Sequence, residues 1–504
     1  MMQSILSNLS SQQFPGIEGG GGGVGGVGGV GGMGGGLDAA GAGAIPTDAP
    51  AAHGLVDVFN GSIGVFLVAF VVTLCVTPLM RWLAVRNGII DNPGEARKVH
   101  RIPVAYLGGV AVYIGLMAAV AFSYLAPSLI LFGYPVELME SHASRHAQSA
   151  VPLSILLGMT VIMLTGLLDD VNHLSPRIKI GGQLLAAAAL AMEEIGTKVA
   201  AGVLHPIGTI LGNENLIFRV PLPFEAPLFG HSVTVDVVYW AGVAIIALFV
   251  LGACNASNLI DGLDGLATGV TGMAAAGLLV IALGLAVADD GPLDGARVTI
   301  ALALLGACLG FLPHNFNPAT IFLGDAGSLL LGFVTIALVL SLGDTGKTHL
   351  VVAGLIIYAI PIIDTVLAMV RRKMAGRPLS SADDQHLHHL LKRTLGVKGA
   401  VFTLYGIGLI FASLGVWLSM GRVRVVMTIA LVIASFIWVA AVKVARRQAI
   451  EAAAAGAGAR LPLTRLSGRP SVTADAESHQ PQKPATPQPP RPISPDPRTP
   501  APIS

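Results

Sequence analysis

Eleven apolar windows, each about long enough to cross a hydrocarbon layer, limit what this chain can fold into more than any other feature. A spanning helix needs roughly 17–25 predominantly apolar residues. Windows of that kind lie near 61–83, 104–125, 151–168, 178–195, 237–254, 265–288, 298–313, 325–342, 350–370, 400–419 and 425–445. The fourth is the weakest, because Glu193 and Glu194 shorten its apolar part. In lipid every backbone polar group must be satisfied within the segment, which leaves helices. Charged residues make up 12% of the chain, against about 25% for soluble domains. The expected fold is an all-α integral membrane protein, a polytopic bundle of about 11 transmembrane helices.

Positive charge sets the expected orientation, since cytoplasmic connections retain Lys and Arg. The 81–103 connection carries Arg81, Arg86, Arg97, Lys98 and Arg101. The 371–399 connection carries Arg371, Arg372, Lys373, Arg377, Lys392, Arg393 and Lys398, and Arg446 and Arg447 follow the last window. With eleven crossings, a bare N-terminus outside and a cytoplasmic C-terminus, all three clusters fall on the cytoplasmic side. The first sixty residues hold no Lys or Arg, so the positive region of a signal peptide is missing. Residues 1–57 read as a disordered glycine-rich extracytoplasmic arm and 58–448 as the transmembrane domain. Residues 449–504 read as a disordered Ala/Pro-rich cytoplasmic tail.

A net charge near zero and the lack of a long basic stripe interleaved with aromatics give no ground for a nucleic-acid partner. Cys75, Cys254 and Cys308 sit far apart in apolar runs and read as small core residues.

On that topology the clustered polar side chains all fall on one face. The stretch Asn255-Ala-Ser-Asn258-Leu-Ile-Asp261-Gly-Leu-Asp264-Gly-Leu266 follows an apolar run directly. Ionisable groups at the edge of a span are costly unless paired, hydrated or metal-bound. Asn258, Asp261 and Asp264 are spaced by three, which on a helix lines them on one face. Hard oxygen ligands of this kind suit Mg²⁺ shared with substrate phosphates.

Adjacent Asp169 and Asp170 end the third window, with Lys179 and Gln183 beyond. One of the pair is a candidate base, the alternative being a solvated helix end, although acid there opposes the helix dipole. Phe322-Leu-Gly324-Asp325-Ala-Gly327-Ser328 opens the eighth window, where Asp325 is either an N-cap or a second carboxylate arm for the metal.

Asp383-Asp384-Gln385-His386-Leu-His388-His389 lies in the most basic loop. With no Cys nearby, its histidines suit hydrogen bonding to phosphate or sugar better than zinc, and a solvated polar loop is the plain alternative. Lys98, His100 and Arg101 precede Leu107-Gly108-Gly109, and are either topogenic or phosphate-binding. Asp364 and His314 read as packing or capping groups, and Asp344 as a loop residue.

Five ordered motifs resemble the polyprenyl-phosphate N-acetylhexosamine-1-phosphate transferases over about 62–445. They are Lys98-Val-His100 with Leu107-Gly-Gly109, Asp169-Asp170 with Lys179, Asn255 through Leu266, Asn315-x-Asn317-Pro318 before Gly324-Asp325-x-Gly-Ser328, and His386-Leu-His388-His389. The histidine motif looks like the branch using UDP-N-acetylglucosamine. The branch taking UDP-muramoyl-pentapeptide has three consecutive histidines, a run that Leu387 would interrupt, so phospho-N-acetylmuramoyl-pentapeptide transferase ranks second.

The resemblance implies a multi-pass enzyme of the inner (plasma) membrane with a cytoplasmic site and Mg²⁺ or Mn²⁺. It would transfer sugar-1-phosphate from UDP-N-acetylglucosamine to undecaprenyl phosphate, releasing UMP and starting a lipid-linked cell-envelope glycan. It implies Asn258 and Asp325 as metal ligands, Asp169 and Asp170 as groups that activate or orient the lipid phosphate, and Lys179 as a neutralising cation. Asp261 and Asp264, with Asn255, would shape the nucleotide pocket. His386, His388 and His389 would hold the diphosphate or sugar, Lys98, His100 and Arg101 would bind substrate, and a homodimer is compatible with the family. A cation-coupled transporter is the rival class, and would place its carboxylates at mid-bilayer.

Overall fold

The computed structural model describes residues 55–91, 104–125, 151–213, 216–226, 230–288, 291–376 and 386–458. Residues 1–54 of the glycine-rich arm, the tail beyond 458, and Lys98, His100 and Arg101 lie outside the described residues. The first stretch is α1 (Leu55–Arg86), followed by a short ladder of β1 (Ile90–Asp91) with β2 (Val104–Ala105). Then come α2 (Gly108–Leu125), α3 (Leu153–Asn172), α4 (Pro176–Met192) and α5 (Val199–Ile210). A hairpin of β3 (Ile217–Ala226) and β4 (Gly230–Asp236) leads into α6 (Val237–Ile260) and α7 (Leu266–Ala288). The chain continues through α8 (Asp294–Asn315), α9 (Gly324–Ser341), α10 (Thr348–Ile357), α11 (Ala359–Met374), α12 (Leu387–Ser419) and α13 (Val423–Gly458).

Each of the eleven apolar windows falls on helix, but the count of clear spans differs. Among the described residues nine helices are long and apolar enough to cross a membrane, and ten if α10 and α11 form one broken span. Those two helices meet at an angle of 79° around Tyr358. The shortfall is α4, which stops at 17 residues because Glu193 and Glu194 follow it. Glu193 has a use: its carboxylate accepts from Ser154 N (3.3 Å) and Ser154 Oγ (2.7 Å), capping the start of α3.

Away from water a helix must satisfy its own polar side chains, and Thr77, Thr160, Thr165 and Thr335 each donate to the carbonyl four residues back. Helix ends follow local chemistry. Pro176 opens α4, where its missing N–H costs nothing. Asp236 caps α6 by accepting from Tyr239 N at 2.9 Å.

The connection between α4 and α6 holds α5 and the β3–β4 hairpin, neither of which the sequence reading anticipates. Twelve-residue α5 is too short to span. Helix α13 runs through Gly458, past the 448 boundary, because an alanine-rich stretch favours helix. Cys254 and Cys308 are buried as expected, whereas Cys75 is exposed on α1. A small apolar side chain facing lipid loses nothing by leaving the core.

At the centre stands α9, in which every residue but Asp325 is buried. It packs against α2, α3 and α6, and backbones approach closely through glycine. A Cβ on Gly109 would meet Gly327 N at 2.1 Å, and one on Gly166 would meet Ala326 Cα at 2.4 Å. The Leu107-Gly108-Gly109 motif is therefore a packing device. Gly108 N and Gly109 N donate to Phe322 O (3.1 Å) and Leu323 O (2.8 Å). Ala105 O accepts from Phe322 N at 2.8 Å. Buried Leu107 is held at φ 93°, a strained conformation for a residue with a side chain. Residues 105–109 are thus tied to the segment that carries Asp325, and β1 is joined to it through β2.

Candidate active site

Four helix ends meet at one cation. Lys179, near the start of α4, places its Nζ 2.7 Å from Asp169 Oδ2 at the end of α3 and in direct contact with Asp325 Oδ2 in the first turn of α9. Asn258, near the end of α6, donates through Nδ2 to Asp325 Oδ1 (2.7 Å) and to Ser328 Oγ (2.9 Å). Three motifs separated in sequence therefore converge on Asp325.

The neighbouring carboxylates divide their tasks. Asp169 Oδ1 accepts from Leu174 N at 2.8 Å, closing the turn between α3 and α4. Asp170 accepts from Asp325 N (2.7 Å) and Ala326 N (3.0 Å), so it caps α9 from another helix. Its two oxygens satisfy two of the amides that every helix start leaves open. Gly324, at φ 71°, lets the chain turn there, and a Cβ on it would lie 2.6 Å from Asp170 Oδ2.

The turn between α6 and α7 is shaped by the Asn315–Asn317 segment. Asp264 Oδ2 accepts from Asn317 Nδ2 (2.9 Å) and Ala319 N (3.0 Å), which binds it to the loop before α9. Asn315 Oδ1 accepts from Gly265 N (3.2 Å) and Thr268 Oγ1 (3.0 Å), capping α7. Asn255 Nδ2 donates to Gln183 Oε1 at 2.9 Å. Asp261 follows α6 directly. Burial first, then repulsion from Asp325, Asp170 and Asp264, holds its carboxyl well above the ordinary carboxylate range.

The histidine motif begins α12 and reaches the same turn. A Cβ on Gly262 would come within 2.3 Å of His388 Nε2, so that ring lies on the Asn255–Leu266 backbone. The rings of His388 and His389 are 4.3 Å apart and those of His386 and His388 stack at 5.4 Å. His388 is 1% exposed, and neither of its ring nitrogens has a hydrogen-bond partner. Beneath them lies Asp364 of α11. It accepts from His386 Nδ1 (3.1 Å) and from Leu387 N (2.8 Å). Asp364 is thus a capping group, as its sequence context implies, and one in contact with the motif. Asp344 closes a turn beyond α9, with Lys198 Nζ 3.4 Å away.

The structure therefore brings Asp169, Asp170, Lys179, Asn258 and Asp325 together, ties Asp264 to the Asn317 loop, and sets His388 on Gly262. Lys98, His100 and Arg101, with Asp383, Asp384 and Gln385, are outside the described residues. Sequence reasoning gave Asp364 no link to the histidines. Its signal was a lone carboxylate inside an apolar window, which must be paired to be tolerated.

The donor chemistry fits a substrate-shared divalent cation better than a closed protein cage. Among the described residues no three His, Cys, Asp or Glu side chains converge as a metal-holding group. Asn258 spends its amide nitrogen on Asp325 and Ser328, which leaves its Oδ1 as a hard donor beside a carboxylate that already holds a cation. Few protein ligands plus phosphate and water is the usual arrangement for Mg²⁺.

A family model described as glycosyl transferase family 4 matches residues 152–343, the segment from α3 to the end of α9. The chain is 31% identical to a Bacillus subtilis (strain 168) protein named "Probable undecaprenyl-phosphate N-acetylglucosaminyl 1-phosphate transferase", over 70% of this chain and 86% of that one. It is 33% identical to the decaprenyl-phosphate N-acetylglucosaminephosphotransferase of Mycolicibacterium smegmatis, over 73% and 85%. It is 30% identical to the phospho-N-acetylmuramoyl-pentapeptide-transferase of Desulforudis audaxviator, over 69% and 95%. With this coverage, and with the motif residues gathered around Asp325, the chain belongs to the glycosyl transferase family 4 polyprenyl-phosphate N-acetylhexosamine-1-phosphate transferases.

Proposed function

We propose that this protein transfers N-acetylglucosamine-1-phosphate from UDP-N-acetylglucosamine to undecaprenyl phosphate, releasing UMP and starting a lipid-linked cell-envelope glycan. The observation that carries this reading is the Lys179 ammonium held between Asp169 and Asp325, with Asn258 on the second oxygen of Asp325. Two phosphate anions repel each other, so a site joining them must supply positive charge where the transition state develops negative charge. Lys179 is such a charge, and its two carboxylate partners fix its position. When bound at Asn258 and Asp325, Mg²⁺ or Mn²⁺ supplies further electrostatic stabilisation of the diphosphate.

In this reading an oxygen of the lipid phosphate forms a bond to the sugar-bearing phosphorus while the bond to the UMP phosphate breaks. Asp169 receives or orients the acceptor. Asp170 acts through its hold on the α9 amides, because both of its oxygens are engaged there. We take the displacement to be direct, and the engagement of Asp170 removes that carboxylate as the nucleophile of a phospho-aspartyl route. A trapped phospho-enzyme, or UMP release without lipid acceptor, would overturn it.

His386, His388 and His389 hold the diphosphate or sugar, and Lys98, His100 and Arg101 bind substrate. The proposed topology counts α4 and the α10–α11 pair as one crossing each. Eleven crossings then put the N-terminus outside, and the site and C-terminus in the cytoplasm, at the inner (plasma) membrane. Carboxylates at helix ends argue against a transporter, which would carry them at mid-bilayer.

The donor is tested by supplying membranes with UDP-N-acetylglucosamine, UDP-N-acetylgalactosamine or UDP-muramoyl-pentapeptide and measuring UMP and labelled lipid. The expected result is at least about a tenfold preference in kcat/KM for UDP-N-acetylglucosamine, the low end of the discrimination that a binding pocket supplies. Preference for the muramoyl donor would move the chain to the other branch.

A further inference from the structure

We infer that Asp364 is a positioning residue for the histidine motif: it fixes the ring of His386 and the first turn of α12, and so sets where the other imidazole nitrogens point. The inference rests on the proposed transferase reading only for what those nitrogens would then touch.

Asp364 is 2% exposed and lies on α11, six residues past the break at Tyr358, in a segment otherwise uncharged until its basic end. A lone carboxylate there would be costly. It is not alone. Oδ2 accepts from His386 Nδ1 at 3.1 Å, and Oδ1 accepts from Leu387 N at 2.8 Å. One carboxylate thus caps a helix start and holds a ring, so backbone and side chain of the motif are fixed from the same point.

With Nδ1–H donated to Asp364, the free nitrogen of His386 is Nε2, and the tautomer is set by the carboxylate. The His388 ring stacks on His386 with 9° between their planes, and Oδ2 is 3.6 Å from His388 Nδ1. His388 in turn presses on Gly262. The order of support runs from Asp364 through His386 to His388 and into the turn that bears Asp261 and Asp264. The 79° bend between α10 and α11 lets α11 pack beside the start of α12. A carboxylate behind a histidine is a recurring way to orient an imidazole, and removing such a support commonly costs about ten- to a hundredfold in function.

Two variants separate positioning from plain capping. Asp364→Asn keeps an oxygen to accept from Leu387 N–H but turns an NH₂ toward His386 Nδ1, which forces the other tautomer. Asp364→Ala removes both contacts. The first measurement needs no turnover: carbethoxylation of His386 in the full-length protein in membranes, mapped by mass spectrometry. We expect His386 to react several-fold more slowly in both variants than in the wild type, because Nε2 loses the nucleophilicity that Nδ1–H donation to a carboxylate gives it and, in Asp364→Asn, carries the proton itself. Unchanged reactivity in both would overturn the inference.

The second measurement is a double-mutant cycle on UMP release, with Asp364→Asn, His386→Ala and the pair. We expect Asp364→Asn to lower kcat/KM about ten- to a hundredfold while its thermal midpoint in detergent stays near that of the wild type. The double variant should be no worse than His386→Ala alone. Additive losses, or an Asp364→Asn enzyme as active as the wild type, would reduce Asp364 to a structural cap. Absence of UMP from the wild type would instead reject the transferase reading, and the reactivity of His386 would still decide the role of Asp364.

Discussion

Asp325 has both carboxylate oxygens engaged, one by Lys179 and one by Asn258, and that pairing is the chemical centre of the molecule. Lys179→Gln removes this cation with a neutral side chain one atom shorter, and leaves Asp169 and Asp325 facing each other unneutralised. Turnover should fall at least about a hundredfold, as when a donor to a developing charge is removed, with insertion into the membrane unchanged. UMP release from membranes carrying equal amounts of protein measures this. Gly262→Ala tests the histidine side, because its Cβ would collide with His388 Nε2 at 2.3 Å. The ring must move, and kcat/KM should drop about tenfold or more, in line with the sensitivity of catalytic sites to small misplacements. Wild-type kinetics in that variant would detach His388 from the site. The residue types at this scale were legible in the sequence because polar side chains stand out at the edge of apolar windows. Their pairings were not. Asp170 caps an amide 155 residues away, and a contact across that distance leaves no periodicity to read.

Helix α9 is the element on which the others are set, buried along its length and started by a carboxylate from α3. Asp170→Ala leaves two amides at the start of α9 without their acceptor. Loss of a cap of this kind costs about 0.5–2 kcal/mol. Thermal unfolding in detergent should register that loss, and activity should fall with it, since Asp325 sits in the same turn. An unchanged midpoint would mean that water replaces Asp170 without cost. The helices themselves were legible because lipid demands long apolar segments. The connections were less so. Shorter elements escape that demand, and α5 is held by packing on α6 and the β3–β4 hairpin by strand pairing. The break at Tyr358 was also hidden, since both halves of the pair are apolar enough to read as one window.

At the scale of the whole molecule the account requires two sides. The helix ends bearing the five motifs should face the cytoplasm, and the β3–β4 hairpin should face outward. Thr234→Cys in β4 and Lys373→Cys at the end of α11 are both exposed positions that test this. In a Cys75→Ser background, a membrane-impermeant maleimide should label the first in intact cells and the second only after permeabilisation. The reverse pattern would invert the topology. Charge bias supplies the sidedness that this labelling tests, whereas the number of crossings was hard to read, because α4 is cut short by Glu193 and Glu194. The central claim is that the cluster around Asp325 transfers a sugar phosphate to a lipid phosphate. Its most direct test incubates membranes containing the wild type or Asp325→Ala with labelled UDP-N-acetylglucosamine, undecaprenyl phosphate and Mg²⁺, with and without a chelator. The account predicts UMP and labelled lipid from the wild type alone, and only when Mg²⁺ is free. No product from the wild type, or undiminished product from Asp325→Ala, would contradict it.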